Sequence, residues 1–170
     1  MLTALTMFGG LLLVWLTSFV GPLVHADIYL PHVAAIFVVY AALERDAFGA
    51  LLVGLVVGLA TGLLNGGARG LTLLGLLPVI PLSRWARSAF QIETVIARVG
   101  WVVPMVLVAE ASVALFALVF APSLRTGPTL LRVAPGTALL SALLAWPVYG
   151  LLSKLEPMLR ERQQKSAIFR

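Results

Sequence analysis

The chain has 170 residues, of which 61% are hydrophobic and 11% charged, and its mean hydropathy is +1.03. Soluble domains carry about 25% charged residues, so this chain cannot cover a water-facing surface, and a soluble globular protein is excluded. The absence of cysteine excludes thiol chemistry, two histidines are too few for a metal site, and the net charge of +5 reads as orienting loop residues rather than a nucleic-acid surface.

A helix crossing a bilayer needs roughly 20 mostly apolar residues. The length therefore holds five or six such helices and no sizeable soluble domain. The apolar runs are continuous rather than alternating, which argues against a β-barrel. The first span is expected from Leu5 to Val20, ending at Gly21-Pro22. It lacks a basic leading region, and Phe19-Val20-Gly21-Pro22 is a poor cleavage site, so it does not read as a signal peptide. A polar break with His25 and Asp27 follows. The second span is expected from Pro31 to Leu43, with Pro31 in the first turn, where its missing N–H costs nothing. Glu44-Arg45-Asp46 makes a short connection to the third span, Phe48 to Leu64, and Asn65 to Gly70 is the clearest turn in the chain.

The fourth run, Leu71 to Leu82, holds Pro78 and Pro81. As a helix it covers only about 18 Å. Either it borrows flanking residues and thins the bilayer, or it is a broken or re-entrant element. The fifth span is expected from Trp101 to Phe120, and the sixth from Ala134 to Leu152 after a loop from Pro122 to Arg132. The reading is one transmembrane domain over 1–153 and a basic tail over 154–170, with no internal repeat.

Lysine and arginine set orientation. With six spans and the N-terminus inside, Arg45, Arg84, Arg87, Arg98, Lys154, Arg160, Arg162, Lys165 and Arg170 are cytoplasmic, against Arg69, Arg125 and Arg132 outside. With five spans and the N-terminus outside, Arg45 and Arg69 exchange sides and the balance is unchanged. Either count places the tail and the Ser83–Arg98 segment in the cytoplasm. Within that segment Trp85, Ala89, Ile92, Ile96 and Val99 recur at spacings of four and three, while Arg84, Arg87, Glu93 and Arg98 fall elsewhere on the wheel. The pattern predicts one amphipathic helix lying in the membrane interface, its apolar side in lipid or against a partner.

Gly54, Gly58, Gly62, Gly66 and Gly70 are spaced by four. Small residues at that spacing let helices approach closely, within the chain or across an interface. Glu110 is the one acidic residue inside an expected span, and an ionisable group there marks a functional candidate or a structural hydrogen bond. Ser112, Thr61, Asn65 and Arg69 are its candidate neighbours. There is no Ser/His/Asp arrangement, no carboxylate pair in one span and no phosphate-binding glycine loop ending in Lys-Ser or Lys-Thr. Enzymatic activity and cofactors are therefore not expected.

Several local patterns resemble the MreD family of bacterial rod shape-determining membrane proteins, over roughly Tyr29 to Arg160. Pro31-His32 matches the proline and polar residue opening that family's second span. The stretch from Gly58 to Gly66, followed by Gly70, matches its glycine-rich third span and turn. Leu144-Ala145-Trp146-Pro147-Val148-Tyr149, then Lys154, matches its proline-containing last span and basic tail. The family often carries an aspartate where this chain has Gly62, so a role for that carboxylate does not carry over. The resemblance implies a non-enzymatic scaffold subunit of the cell-elongation machinery in the bacterial inner membrane, with its C-terminus cytoplasmic. It implies binding to MreC and, through it, to MreB and to RodA with its penicillin-binding transpeptidase. The contact candidates are Gly54, Gly58, Gly62 and Gly66 on the third span, and Arg84, Trp85, Arg87, Ile92 and Ile96 on the cytoplasmic segment. The implied fold is an all-α bundle of six transmembrane helices, or five if the fourth run does not cross, with one interfacial amphipathic helix. That layout is similar to the substrate-binding subunits of energy-coupling-factor vitamin transporters, which gives the rival reading. A transporter needs a ligand pocket near the outer face, where this chain offers His25, Asp27, His32, Asn65, Arg69 and Arg125.

Overall fold

The computed structural model describes residues 2–23, 30–64, 70–90, 92, 94–120 and 127–168. They form α1 (Leu2–Leu23), α2 (Val33–Glu44), α3 (Ala47–Leu64), α4 (Leu71–Leu76), α5 (Val79–Phe90), α6 (Val95–Phe120) and α7 (Gly127–Ile168), with no strand among the described residues. Four segments are long and apolar enough to cross a membrane: Leu2–Val20, Ala47–Leu64, Val95–Phe120 and Arg132–Leu155. Their outer faces present large apolar side chains, among them Phe8, Trp15, Phe19, Leu63, Leu115 and Leu143. A soluble monomer exposes apolar patches of only a few hundred Å². A belt running over four helices instead matches a lipid surround, and the protein is a membrane-embedded helical bundle.

The bundle is built around α2. Every residue from Val33 to Leu43 is buried, and α1, α3, α5, α6 and α7 all pack on it. A helix enclosed on every side needs no polar face, which is why its sequence is apolar all round. Its N-terminus departs from the expected one. Pro31 lies ahead of the first turn, and His32 is the N-cap, its Nδ1 accepting the Ala35 N–H at 3.2 Å. A proline in the first turn supplies a preset φ but no acceptor. The imidazole supplies one to a backbone donor that the helix leaves without a partner.

The fourth run is broken. Leu77 donates to Leu74 O in a tightened turn, Pro78 has no N–H to give, and α5 then begins, with Leu82 donating to Pro78 O. Pro81 falls in the first turn of α5, where no intrahelical donor is required. Together α4 and α5 run antiparallel to α3. A Cβ on Gly58 would lie 3.1 Å from Leu76 Cδ1 and 3.7 Å from Leu73 Cα, and one on Gly54 would lie 3.5 Å from both Ile80 Cδ1 and Val38 Cγ2. On its other side α4 meets α6 more tightly still. A Cβ on Gly75 would lie 2.3 Å from Val113 Cγ2 and 3.0 Å from Ala109 O.

The single amphipathic helix expected over Ser83–Arg98 is corrected: α5 stops at Phe90 and α6 starts at Val95. Thr94 caps the new helix, its Oγ1 accepting the Ala97 N–H at 3.2 Å. A side-chain acceptor three residues before its donor starts a helix more strongly than an apolar period carries one through. Ile92 therefore lies between the two helices and Ile96 on α6, one 7% and the other 78% exposed. Helix α6 begins six residues before the expected Trp101. Helix α7 replaces part of the expected 122–132 loop and continues through Lys154 to Ile168, so that part of the expected tail is helical. Its 42 residues span about 63 Å, well beyond a hydrocarbon core of roughly 30 Å. Helices α6 and α7 make the most extensive pairing. Many of the residues these two helices bury are small: Ala109, Ala114 and Ala117 on one, Ala134, Ala138, Ser141 and Ala145 on the other.

Contacts order the helices between two ends of the bundle. The start of α1 lies beside the α2–α3 junction, since a Cβ on Gly49 would meet Thr3 Oγ1 at 3.5 Å. The start of α2 lies beside the first half of α7, where the His32 N–H donates to Ser141 Oγ at 2.8 Å.

Candidate functional site: an arginine clasp on the buried helix

Helix α2 ends with the Arg45 N–H donating to Ala41 O at 2.8 Å, and Arg45 turns to extended backbone at φ −110° and ψ 171°. An abrupt exit leaves the last carbonyls without helical donors, at the negative end of the helix dipole. Two arginines three residues apart on α5 share a face and supply the missing donors. Arg84 Nη1 donates to Arg45 O at 3.0 Å, and Arg87 Nη1 donates to Leu43 O. The first turn of α6 adds a third arginine, with Arg98 Nη2 2.7 Å from Glu44 Oε1 and both side chains 17% exposed. Charge-assisted bonds are worth about 1.5–3 kcal/mol when shielded from water, so the end of α2 is held from two directions.

Arg84 and Arg87 thus stand at a charged junction, but the apolar side expected beside them is not the packed one. Helix α5 buries Val79, Ile80, Ser83 and Ala86. Trp85 is 59% exposed and meets Phe90 edge-on at 5.8 Å between ring centroids, and Phe90 stands 6.1 Å from Trp101. In lipid an apolar stripe can face outward as stably as inward, so the wheel separates basic from apolar without naming the packed face.

The glycine candidates divide. Gly54 and Gly58 seat α2, α4 and α5 against α3. Gly62 is buried, although a Cβ there would meet nothing within 4 Å among the described residues. Gly66 lies outside the described residues, as do His25, Asp27, Asn65, Arg69 and Arg125 of the outer polar set. Glu110 is half-buried in α6, next to the Ala109 carbonyl that faces Gly75. Of its candidate neighbours, Thr61 donates its hydroxyl to Val57 O at 2.9 Å instead.

Two polar residues that join α7 to α2 escaped sequence reasoning. Tyr149 donates its hydroxyl to Ile36 O at 2.7 Å, with its ring 5.1 Å from that of Tyr40. Ser141 accepts from the His32 N–H and donates to Thr137 O at 2.6 Å. The signal was present: Ala134, Thr137, Ala138, Ser141, Ala145, Tyr149 and Leu152, all buried, recur at helical spacing. Among the described residues no three His, Cys, Asp or Glu side chains gather as metal ligands.

Comparison of the chain with protein-family models, with curated proteins and with solved structures finds no match.

Proposed function

We propose that this chain is a six-pass scaffold subunit of a bacterial inner membrane, of the MreD kind, that binds MreC and so helps to control peptidoglycan synthesis and cell shape. The carrying observation is where the polar groups go. His32, Ser141 and Tyr149 spend their hydrogen bonds tying α7 to α2, the outer surface is an apolar belt, and the charged junction sits at one end. That division suits a protein whose work is holding other membrane proteins. Two of the three segments behind the family resemblance are packing points: Pro31-His32 starts the buried helix, and Gly58 seats α4.

The order of contacts supports six passes. The α4–α5 element leaves the glycine face of α3 and reaches the end of α2 where α1 and α3 begin. In this reading it counts as one broken crossing, which puts both chain ends on the side of Arg45, Arg84, Arg87 and Arg98. The basic residues of that side support a cytoplasmic assignment. The chain has no cysteine, so single introduced cysteines report sidedness without background. An impermeant thiol reagent applied outside intact cells should label Arg132→Cys and spare Thr3→Cys and Ser153→Cys; labelling of Thr3→Cys would remove the six-pass arrangement. For the scaffold role, the tagged chain should co-purify with co-expressed MreC in mild detergent. A chain that folds but leaves MreC in the unbound fraction defeats the reading.

A further inference from the structure

We propose that the clasp is also a lipid site, in which Arg84 and Arg87 hold the phosphate of an anionic phospholipid from the leaflet at that end. Each guanidinium carries five N–H donors in a rigid fork. The structure places one donor of each on a main-chain carbonyl, Arg45 O or Leu43 O, while both side chains stay exposed. Several donors per side chain remain for a ligand, and much of the rotamer freedom is already lost, which favours binding. Phosphate is the anion that matches two such forks.

The local charge calls for an anion. Glu44 is engaged by Arg98, leaving Asp46 as the other described carboxylate at this junction. Arg45, Arg84, Arg87 and Arg98 outnumber Glu44 and Asp46 by four to two, and by four to three when Glu93 is counted from the sequence.

The neighbouring surface selects a lipid over a soluble acidic peptide. Leu82 and Trp85 turn away from the buried face of α5 and are exposed, and Phe90 at its end is 62% exposed. Tryptophan beside basic residues is the pattern of the membrane–water boundary, and basic recesses between membrane helices on the cytoplasmic side take anionic headgroups. The same helix turn offers acyl chains an aromatic surface and a phosphate two guanidinia.

The test uses the full chain in neutral detergent micelles doped with phosphatidylglycerol or phosphatidylcholine, reading the thermal unfolding midpoint against lipid fraction. Phosphatidylglycerol should raise the midpoint, while phosphatidylcholine and inorganic phosphate should not. Each basic residue near an anionic lipid is worth roughly fivefold, so R84Q/R87Q should need about 30-fold more phosphatidylglycerol for the same rise. Arg132→Gln, at the other end, should respond as wild type. An equal response to phosphatidylcholine or to inorganic phosphate, or a full response in R84Q/R87Q, overturns the site. Since that variant also loses two helix-end bonds, wild-type protein in bilayers is crosslinked in parallel with photoactivatable phosphatidylglycerol and, separately, with a photoactivatable polyglutamate peptide. Lipid adducts within residues 82–101 support the site. Lipid adducts only elsewhere, or peptide adducts there without lipid ones, overturn it. Neither arm involves MreC, so failure here leaves the scaffold reading standing.

Discussion

The contact between α4 and α6 gives the sharpest stability prediction. A methyl group at Gly75 would sit 2.3 Å from Val113 Cγ2, 3.0 Å from Ala109 O and 3.4 Å from Val113 N. The valine cannot readily rotate away, because β-branched residues in helices keep one χ1 well, and a main-chain carbonyl cannot rotate away at all. Gly75→Ala must therefore push α4 off α6. Overpacking of this kind costs typically 1–3 kcal/mol. Replacing glycine within a helix returns up to about 1 kcal/mol, leaving a net loss of about 1 kcal/mol at mid-range and up to about 2 kcal/mol. Gly100 and Gly150 provide the control, since a Cβ at either meets nothing within 4 Å. Gly100→Ala and Gly150→Ala should be neutral or slightly stabilising through helix propensity alone. The assay is thermal or denaturant unfolding of purified protein in one detergent, all three variants side by side. A Gly75→Ala protein as stable as wild type, or a Gly100→Ala protein equally weakened, would refute the account of close approach.

Gly58→Leu should be more damaging than Gly58→Ala, because Leu73 Cα lies 3.7 Å from the Cβ position and the larger side chain must displace backbone; expression and monodispersity in detergent check this, and unchanged behaviour would make the glycine spacing incidental. Tyr149→Phe keeps the ring against Tyr40 but removes the donor to Ile36 O, so unfolding should show a loss of about 0.5–1.5 kcal/mol, and no loss would mean that the hydroxyl bond is not formed. Glu44→Gln and Arg98→Gln should each destabilise, and a double-mutant cycle should give a coupling of about 1 kcal/mol for this partly shielded pair. Additivity of the two changes would show that the α2–α6 ion pair contributes nothing.

The long helices were legible because a span needs a continuous apolar run, and α3 differs from its expected bounds by a single residue at its start. Local chemistry was harder to read. Thr94 starts α6 inside what looked like one amphipathic period, and a lone threonine between Glu93 and Val95 is a weak signal. The period from Trp85 through Ile96 was real in the sequence yet describes two elements. What moved His32 from span interior to cap was one imidazole–amide bond, which no hydropathy window registers. The candidate site was half legible: Arg84 and Arg87 stood out by charge, but their acceptors are backbone carbonyls about 40 residues earlier. Main-chain acceptors carry no residue identity, so composition cannot point to them.

The same fact changes how the basic residues should be understood. Loop arginines in a membrane protein ordinarily mark orientation, and the charge balance alone could not separate five spans from six. Here the arginines do a second task at the exit of α2, which is only 12 residues long, about 18 Å. Its abrupt exit leaves the C-terminal carbonyls without helical donors, and a polar group that is buried and unmet is costly. Guanidinia on long side chains can reach such carbonyls while keeping their remaining donors toward water or headgroups. A short, fully enclosed central helix thus requires donors at its exit, and Arg84 and Arg87 on the neighbouring broken element provide them. The break at Pro78 follows the same logic: by ending α4 there, it gives α5 its own start and sets those two arginines over the end of α2.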